Sequence, residues 1–543
     1  MKIEKRQVQL GFLLAISLLI LFFGLPLHSH ASPGSIKNVI IMIGDGMGAQ
    51  QLGLLNAYAK YAPNSIYKSS GRKTAIEEAM EAGTLGLAYH EAANVLVTDS
   101  AASSTQMASG EWAGSEMIGI DQHGKKTETI LEKAEKMGKA TGLVSDTRLT
   151  HATPAGFAAH QPHRSRENDI AVDMLNNDVD VMLSGGLRHW IPKAANDKDS
   201  KIHNHLKART GGEFRIKSKR KDARNLLNEA EDKGYALAFT KMQLQEAKGD
   251  KVLGLFSYSG MPDGIQHKKK KDSRERTVPT LKEMAAKAID ILSKNEKGFF
   301  LMVEAGQIDW AGHANDAGTM LHEMVKFDET VDYVFDWVKK RKDTLLIITA
   351  DHETGGFGFS YSRFNLPEPK KFPGDQYPDT KFAPNFNFGN HEILDKLYGQ
   401  KLSYQGITSK FDRLPKNEQT PAALAKIVNE NTGFPITGEE AAAVLEVERN
   451  EYYLEGHKVL SKAIFPKIND FKEFYVYGMA LRNDILGRIV AKYQNVVWST
   501  GTHTNAPVPL IIIGPKETTL KFSRLMHTTE WGQTAIEVLE KGR

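Results

Sequence analysis

Short, continuously apolar runs alternate along this chain with stretches whose apolar residues recur every three or four positions. The runs are Val39–Ile43, Gly142–Ser145, Val181–Leu183, Phe299–Val303, Leu345–Thr349 and Leu510–Ile513. They lack polar alternation, the pattern of strands covered on both faces in a parallel sheet. Helical periodicity marks Thr127–Met137, Val278–Leu292 and the long stretch Met320–Lys339. Such alternation predicts an α/β sandwich, with a mostly parallel central sheet and helices on both faces.

Two regions read as additions to that core. Residues 196–276 are rich in Lys and Arg, densest at Lys217–Arg224 and Lys268–Arg276, and read as a solvated basic surface rather than a site for an anionic partner. Residues 361–495 open with a Pro-, Phe- and Asn-rich stretch and continue into helical segments, one begun by a Thr437…Glu440 capping box. They read as a large insertion rising from a core made of 32–360 and 496–543.

At the N-terminus, Lys2, Lys5 and Arg6 precede an apolar run from Leu10 to Leu27, and Ser29-His30-Ala31 follows. This is the pattern of a signal peptide over 1–31, with export to the periplasm or the medium, and an uncleaved anchor is the alternative. No second long apolar stretch predicts a membrane span in the mature chain. With 70 basic and 66 acidic residues the net charge is +4, too near balance to argue for a nucleic-acid partner. The chain has no cysteine. Disulfides, thiolate ligands and thiol nucleophiles are therefore excluded, and a metal site must use His, Asp, Glu and hydroxyls.

Acids and histidines fall where the predicted strands end. Asp45 follows the first strand, Glu304 ends Phe299–Val303, and Asp351-His352 follows Leu345–Thr349. Ligands collect beyond the carboxyl ends of strands in open α/β sheets. Glu304, Asp309 and His313 lie within ten residues of one another with almost no Lys or Arg nearby. Burying such carboxylates requires compensating positive charge, which divalent cations supply. Thr98–Thr105 (TDSAASST) follows the apolar Val95–Val97 and reads as strand, tight turn and helix start. Ser100 then lies on the first helical turn, where backbone amides favour an anion; a plain Ser/Thr helix cap is the other reading of this segment taken alone.

Taken together, VIIMIGDGMG, VTDSAAS, THATPAGFAAH, VEAGQID with its downstream His, TADHETGG and GTHT…P resemble the alkaline phosphatase family, in the family's order. The resemblance implies hydrolysis of small phosphate monoesters through a phosphoseryl intermediate on Ser100, and a homodimer. It implies two zinc ions, one held by Asp45, Asp351 and His352 with Ser100, the other by Asp309, His313 and His503. It implies a magnesium held by Asp45, Thr153 and Glu304. Arg164 is implied to grip the phosphoryl group and Asp99 to orient Arg164. His151 and Trp310 stand beside the magnesium position, where the best-known enterobacterial member has Asp and Lys; the pairing looks like some marine bacterial members. His160 and His163 receive no ligand role. A phosphodiesterase of the same superfamily is the alternative, although such enzymes usually carry Thr where this chain has Ser100. A sulfatase lacks its motif here, and a binding protein without turnover has nothing in its favour.

Overall fold

The apolar runs assemble into one ten-stranded sheet in the computed structural model, which describes residues 35–542. In chain order the strands are β1 (Asn38–Gly44), β2 (Thr84–Tyr89), β3 (Ala140–Arg148), β4 (Val181–Gly185), β5 (Ala236–Ala238), β6 (Val252–Leu255), β7 (Phe299–Ala305), β8 (Thr344–Thr349), β9 (Val508–Ile513) and β10 (Leu525–His527). In space they are ordered β10-β2-β9-β8-β1-β7-β3-β4-β6-β5. Every neighbouring pair from β8 across to β5 is parallel. Strands β1 and β7 are buried at every residue, which explains why their sequences show no polar alternation. The fold is the expected α/β sandwich.

Three readings change. Strand β9 runs antiparallel to both its neighbours, because an apolar run reports burial on both faces and not direction. Val95–Val97 is an exposed loop rather than a strand, with Leu96 77% exposed; the strand before Ser100 is β2. The basic stretch 196–276 is not purely an addition, since β5 and β6 fall within it and complete one edge of the sheet. Residues 361–495 contribute no strand to the sheet; they form helices and small ribbons such as Val447–Arg449 with Ile464–Pro466. The capping box at Thr437 and Glu440 is present. The signal segment 1–31 lies outside the described residues. Among those described, no helix is long and apolar enough to cross a membrane.

Four helices matter for the site: α1 (Ser100–Ser109), α2 (Ala152–Ala158), α3 (Gln307–His313) and α4 (Ala317–Val338). Helix α4 begins three residues before its apolar periodicity because Asp316 caps it, accepting from the Thr319 amide at 3.0 Å. One turn of α4 faces β3 through a buried ion cluster. Lys326 Nζ lies 2.8 Å from Asp146 Oδ2 and also pairs with Glu323, and all three side chains are at most 3% exposed. Asp146 in turn accepts the Gly306 amide at 2.7 Å, tying the cluster to the turn after β7. Burial pushes Glu323 up to about 7 despite Lys326. Removing the only cation of such a cluster leaves buried acids uncompensated. Lys326→Met is therefore expected to destabilise the fold by roughly 3–5 kcal/mol, read from equilibrium urea unfolding; a loss under about 1 kcal/mol would show that the acids are not held by Lys326.

Candidate active site

Strand register gathers the acids. Ile43 pairs with Glu304 and with Thr349, and Glu304 pairs with Ser145. Asp45, Glu304 and Asp351 thus leave the carboxyl ends of three adjacent strands, which lie about 4.8 Å apart. Helix α3, starting right after β7, adds Asp309. All four carboxylates are buried, Asp45, Glu304 and Asp351 completely. The turn after β1 needs glycine: Gly46 has φ of +74°, and a Cβ there would stand 2.8 Å from Asp309 Cα and from Thr354 Oγ1.

The histidines close the cluster in two groups. His352 Nε2 lies 3.1 Å from Asp351 Oδ2, 3.5 Å from Asp45 Oδ1 and 3.2 Å from Ser100 Oγ. His313 Nε2 lies 3.3 Å from Asp309 Oδ1, and His503 Nε2 lies 3.5 Å from the same oxygen and 3.2 Å from His313 Nε2. Each of these two rings turns Nδ1 toward a backbone carbonyl, Gly501 O at 2.8 Å and Thr98 O at 2.9 Å. That places a proton on Nδ1 and turns Nε2 inward, the usual orientation of a metal-binding histidine. A third group holds Asp45, His151 and Glu304, with Thr153 Oγ1 donating to Asp45 Oδ2 at 3.4 Å.

This donor set fits divalent cations on physical grounds. Asp45 Oδ1, Glu304 Oε1, Asp351 Oδ2 and His151 Nδ1 are buried and have no hydrogen-bond partner. Buried polar atoms are otherwise nearly always satisfied. Burial, with Asp351, Asp309 and Glu304 close by, pushes the Asp45 carboxyl well above the usual range. At Asp309 burial works in the same direction but His313 and His503 outweigh it, and its carboxyl is held low. Mixed imidazole and carboxylate donors suit zinc, most clearly the two imidazoles on Asp309, while the third group, with Thr153 added, has the most oxygen and suits a harder ion.

Ser100 faces this cluster from the first turn of α1. The helix cap is Asp99, not the serine: Asp99 accepts from the amides of Ala101 at 3.1 Å and Ala102 at 3.3 Å. The same carboxylate accepts from Glu116 N and from Arg164 Nη1, both at 2.8 Å. Its pKa stays below the usual range, since Arg164 and these amides outweigh burial. Ser103 Oγ donates to Asp351 O at 2.8 Å, locking the helix against the strand-end loop. Arg164 extends Nη2 toward His151 Nε2 at 3.3 Å. Trp310 meets the His151 ring edge-on, with centroids 6.0 Å apart. Asp99, Ser100, His151, Arg164, Asp309, Trp310, His313 and His503 line a cleft of about 1300 Å³.

Every residue singled out from the sequence therefore lies at or beside this cluster. His151 reaches further than expected, since Nδ1 points at Glu304 Oε1 from 3.9 Å and makes it a potential ligand. His160 bonds locally to Gly119 O and Glu132, while His163 pairs with Glu116 on the cleft rim. Sequence reasoning missed the hydroxyls that aim the acids. Ser145 and Thr147 both donate to Glu304 Oε2, Thr147 at 3.1 Å, and Thr354 donates to Asp309 Oδ1 at 2.6 Å. Ser145 sits at the end of a predicted strand, a signal that could have been used. Tyr477 and Asp484, from the 361–495 segment, also line the cleft; Tyr477 meets the His313 ring edge-on at 4.9 Å. Their contribution is long-range and leaves no local pattern.

Comparisons with known proteins agree with this geometry. The family model described as alkaline phosphatase matches residues 36–439. Alkaline phosphatase 4 of Bacillus subtilis is 29% identical over 94% of this chain and 90% of its own length. Alkaline phosphatase 3 of the same organism is 30% identical over 93% and 89%. Among solved structures, a cold-active alkaline phosphatase from a psychrophilic Shewanella species superposes with a TM-score of 0.65 at 25% identity, covering 92% of this chain and 99% of that one. The Thermus thermophilus alkaline phosphatase gives 0.71 at 24% identity and shares the fold over 95% of both chains. The chain belongs to the metal-dependent alkaline phosphatase family and is a phosphomonoester hydrolase.

Proposed function

We propose that this enzyme hydrolyses small phosphate monoesters through a phosphoseryl intermediate on Ser100. The observation that carries the reading is the placement of Ser100 Oγ at the start of α1, 3.2 Å from His352 Nε2 and facing three buried groups of ligand-type atoms. Asp45, Asp351 and His352, with Ser100, would hold one zinc ion; Asp309, His313 and His503 would hold the second. Asp45, Thr153 and Glu304 would hold a magnesium ion, with His151 within reach. Such cations supply Lewis-acid polarisation and lower the pKa of hydroxyl groups and water.

The chain's own residues supply the rest. Ser100 Oγ forms the new bond to phosphorus as the bond to the leaving alkoxide breaks; water then cleaves the phosphoserine and releases phosphate. The N-terminus of α1 favours negative charge at Ser100 and on the phosphoryl oxygens. Arg164 offers its planar fork to two of those oxygens as charge spreads over them. Asp99 fixes the guanidinium in advance, so its ordering is not charged to each turnover. Export and a homodimer belong to the same proposal and rest on the signal-like N-terminus and on the family likeness.

Four measurements test it. Ser100→Ala is expected to lower kcat by roughly a thousandfold or more while the metal content of the purified protein is unchanged; retained turnover would remove the phosphoserine from the mechanism. Hydrolysis of a diester in preference to a monoester would favour the superfamily alternative. Chelation is expected to lower the melting temperature, and by more at pH 8 than at pH 5. The sign follows from Asp45, whose raised pKa lets protons replace the missing cations in acid but not in base; an equal shift at both pH values would count against cation-held carboxylates. Finally, His151→Asp with Trp310→Lys is expected to tighten magnesium and phosphate binding, by adding a carboxylate to the oxygen-rich group and a cation to the cleft. Unchanged metal and phosphate affinities would dismiss that role for the pair.

A further inference from the structure

The basic run Lys217–Arg224 does not simply face solvent. Arg220 is buried, donating to Asn168 O at 2.9 Å and His189 O at 3.2 Å while it pairs with Asp222. This pins the run to the wall of the catalytic cleft. The Lys219 amide bonds to Arg188 O at 2.8 Å, and the Lys219 side chain lines the cleft beside Arg148 and Arg188.

Arg148 and Arg188 share one acid. Arg148 Nε lies 2.5 Å from Glu167 Oε2, and Arg188 Nη2 lies 3.7 Å from Glu167 Oε1. His189 Nε2 reaches the same carboxylate at 3.2 Å. Glu167 is held well below the usual carboxylate range: burial opposes this, and His189 and Arg148 outweigh it. Burial and then the neighbouring Arg148 lower the Arg188 pKa, the mark of crowded cations. This wall thus presents three permanent positive charges against a single carboxylate. Both arginines are about four-fifths buried, so the surplus charge is only partly solvated. The wall is continuous with the phosphoryl site, because Arg164 contacts His151, whose amide bonds to Arg148 O at 2.8 Å.

We propose that Arg148, Arg188 and Lys219 form a subsite for a second anionic group, a phosphate or a carboxylate, carried by the leaving alcohol. The preferred substrates are then monoesters with two anionic ends. Guanidinium forks match both groups geometrically, and partial burial strengthens the attraction. This inference rests on the phosphatase reading of Ser100 and names the substrate class for that site.

The test compares kcat/KM for straight-chain alkyl phosphates with the same chains ending in a carboxylate or a second phosphate, over several chain lengths. At the length that spans the cleft, the wild-type enzyme is expected to prefer the two-headed substrate by roughly tenfold, the scale of one charge-assisted hydrogen bond. The carboxylate and phosphate arms show which anion is taken. In Arg188→Gln and in the surface variant Lys219→Gln this ratio is expected to fall toward one, and added salt is expected to shrink it in the wild type. A wild-type ratio near one at every length, or a ratio that both variants retain, would overturn the subsite. Failure to hydrolyse any alkyl phosphate would instead overturn the phosphatase reading beneath it.

Discussion

Mutual repulsion of buried carboxylates is the constraint around which this molecule is arranged. Asp45, Glu304 and Asp351 emerge from adjacent parallel strands, and Asp309 follows one turn later. At strand spacing, unscreened like charges cost several kcal/mol per ion unless something positive stands among them. Protein groups answer only part of that charge. Arg164 is committed to Asp99, and His313 and His503 face Asp309. The unsatisfied oxygens of Asp45, Glu304 and Asp351 mark where the remaining compensation enters. The site is therefore stable as a carboxylate cluster only in partnership with cations, and folding and catalysis share one requirement.

Ser100, the proposed nucleophile, is held by a different device. Asp99 caps α1, accepts the Glu116 amide and pairs with Arg164, so a single carboxylate sets the helix start, the neighbouring loop and the Arg164 guanidinium. Small residues make the approach possible: Ser104 Oγ donates to Ala152 O at 3.1 Å, joining α1 to α2, and a Cβ on Gly156 would stand 2.2 Å from Ser104 Oγ. Ser100 thus reaches the site from a helix packed tightly on its neighbour, and Arg164, on the loop after α2, is held to it through Asp99, an arrangement that keeps such groups oriented in advance.

The cluster's floor was legible in the sequence because each acid sits at the end of an apolar run, and strand ends converge by topology alone. Asp45, Glu304 and Asp351 needed no knowledge of register to be nominated. Of the two hydroxyls that aim Glu304, Ser145 carried a usable signal at the end of its predicted strand, whereas Thr147, two residues further on, was not legible, since a hydroxyl beyond a strand end reads equally well as a turn. The antiparallel course of β9 was hidden because burial on both faces looks the same in either direction. Val95–Val97 misled because its three apolar residues lie in an exposed loop, where local pattern gives way to tertiary context. The strands β5 and β6 were masked by the basic residues around them, which dominate composition while the short apolar cores Ala236–Ala238 and Val252–Leu255 do the pairing.

Floor and walls of the cleft obey different rules. The floor is built from strand ends and short helices of the α/β core, whose spacing is fixed by backbone pairing; displacing one acid would disturb its neighbours through the sheet. The walls add segments free of that restriction: Lys219 from the basic stretch, Tyr477 and Asp484 from 361–495. A fold can host one chemistry on a rigid scaffold while loops tune what it accepts. Here the basic wall segment is anchored by the buried Arg220. Anchoring of that kind serves selection among leaving groups, because a charged wall discriminates only if its cations stay at a fixed distance from the phosphoryl position. The proposed chemistry at Ser100 thus rests on the scaffold, and the proposed choice among leaving groups combines Arg148 and Arg188, at and just beyond the ends of β3 and β4, with Lys219 from the basic stretch.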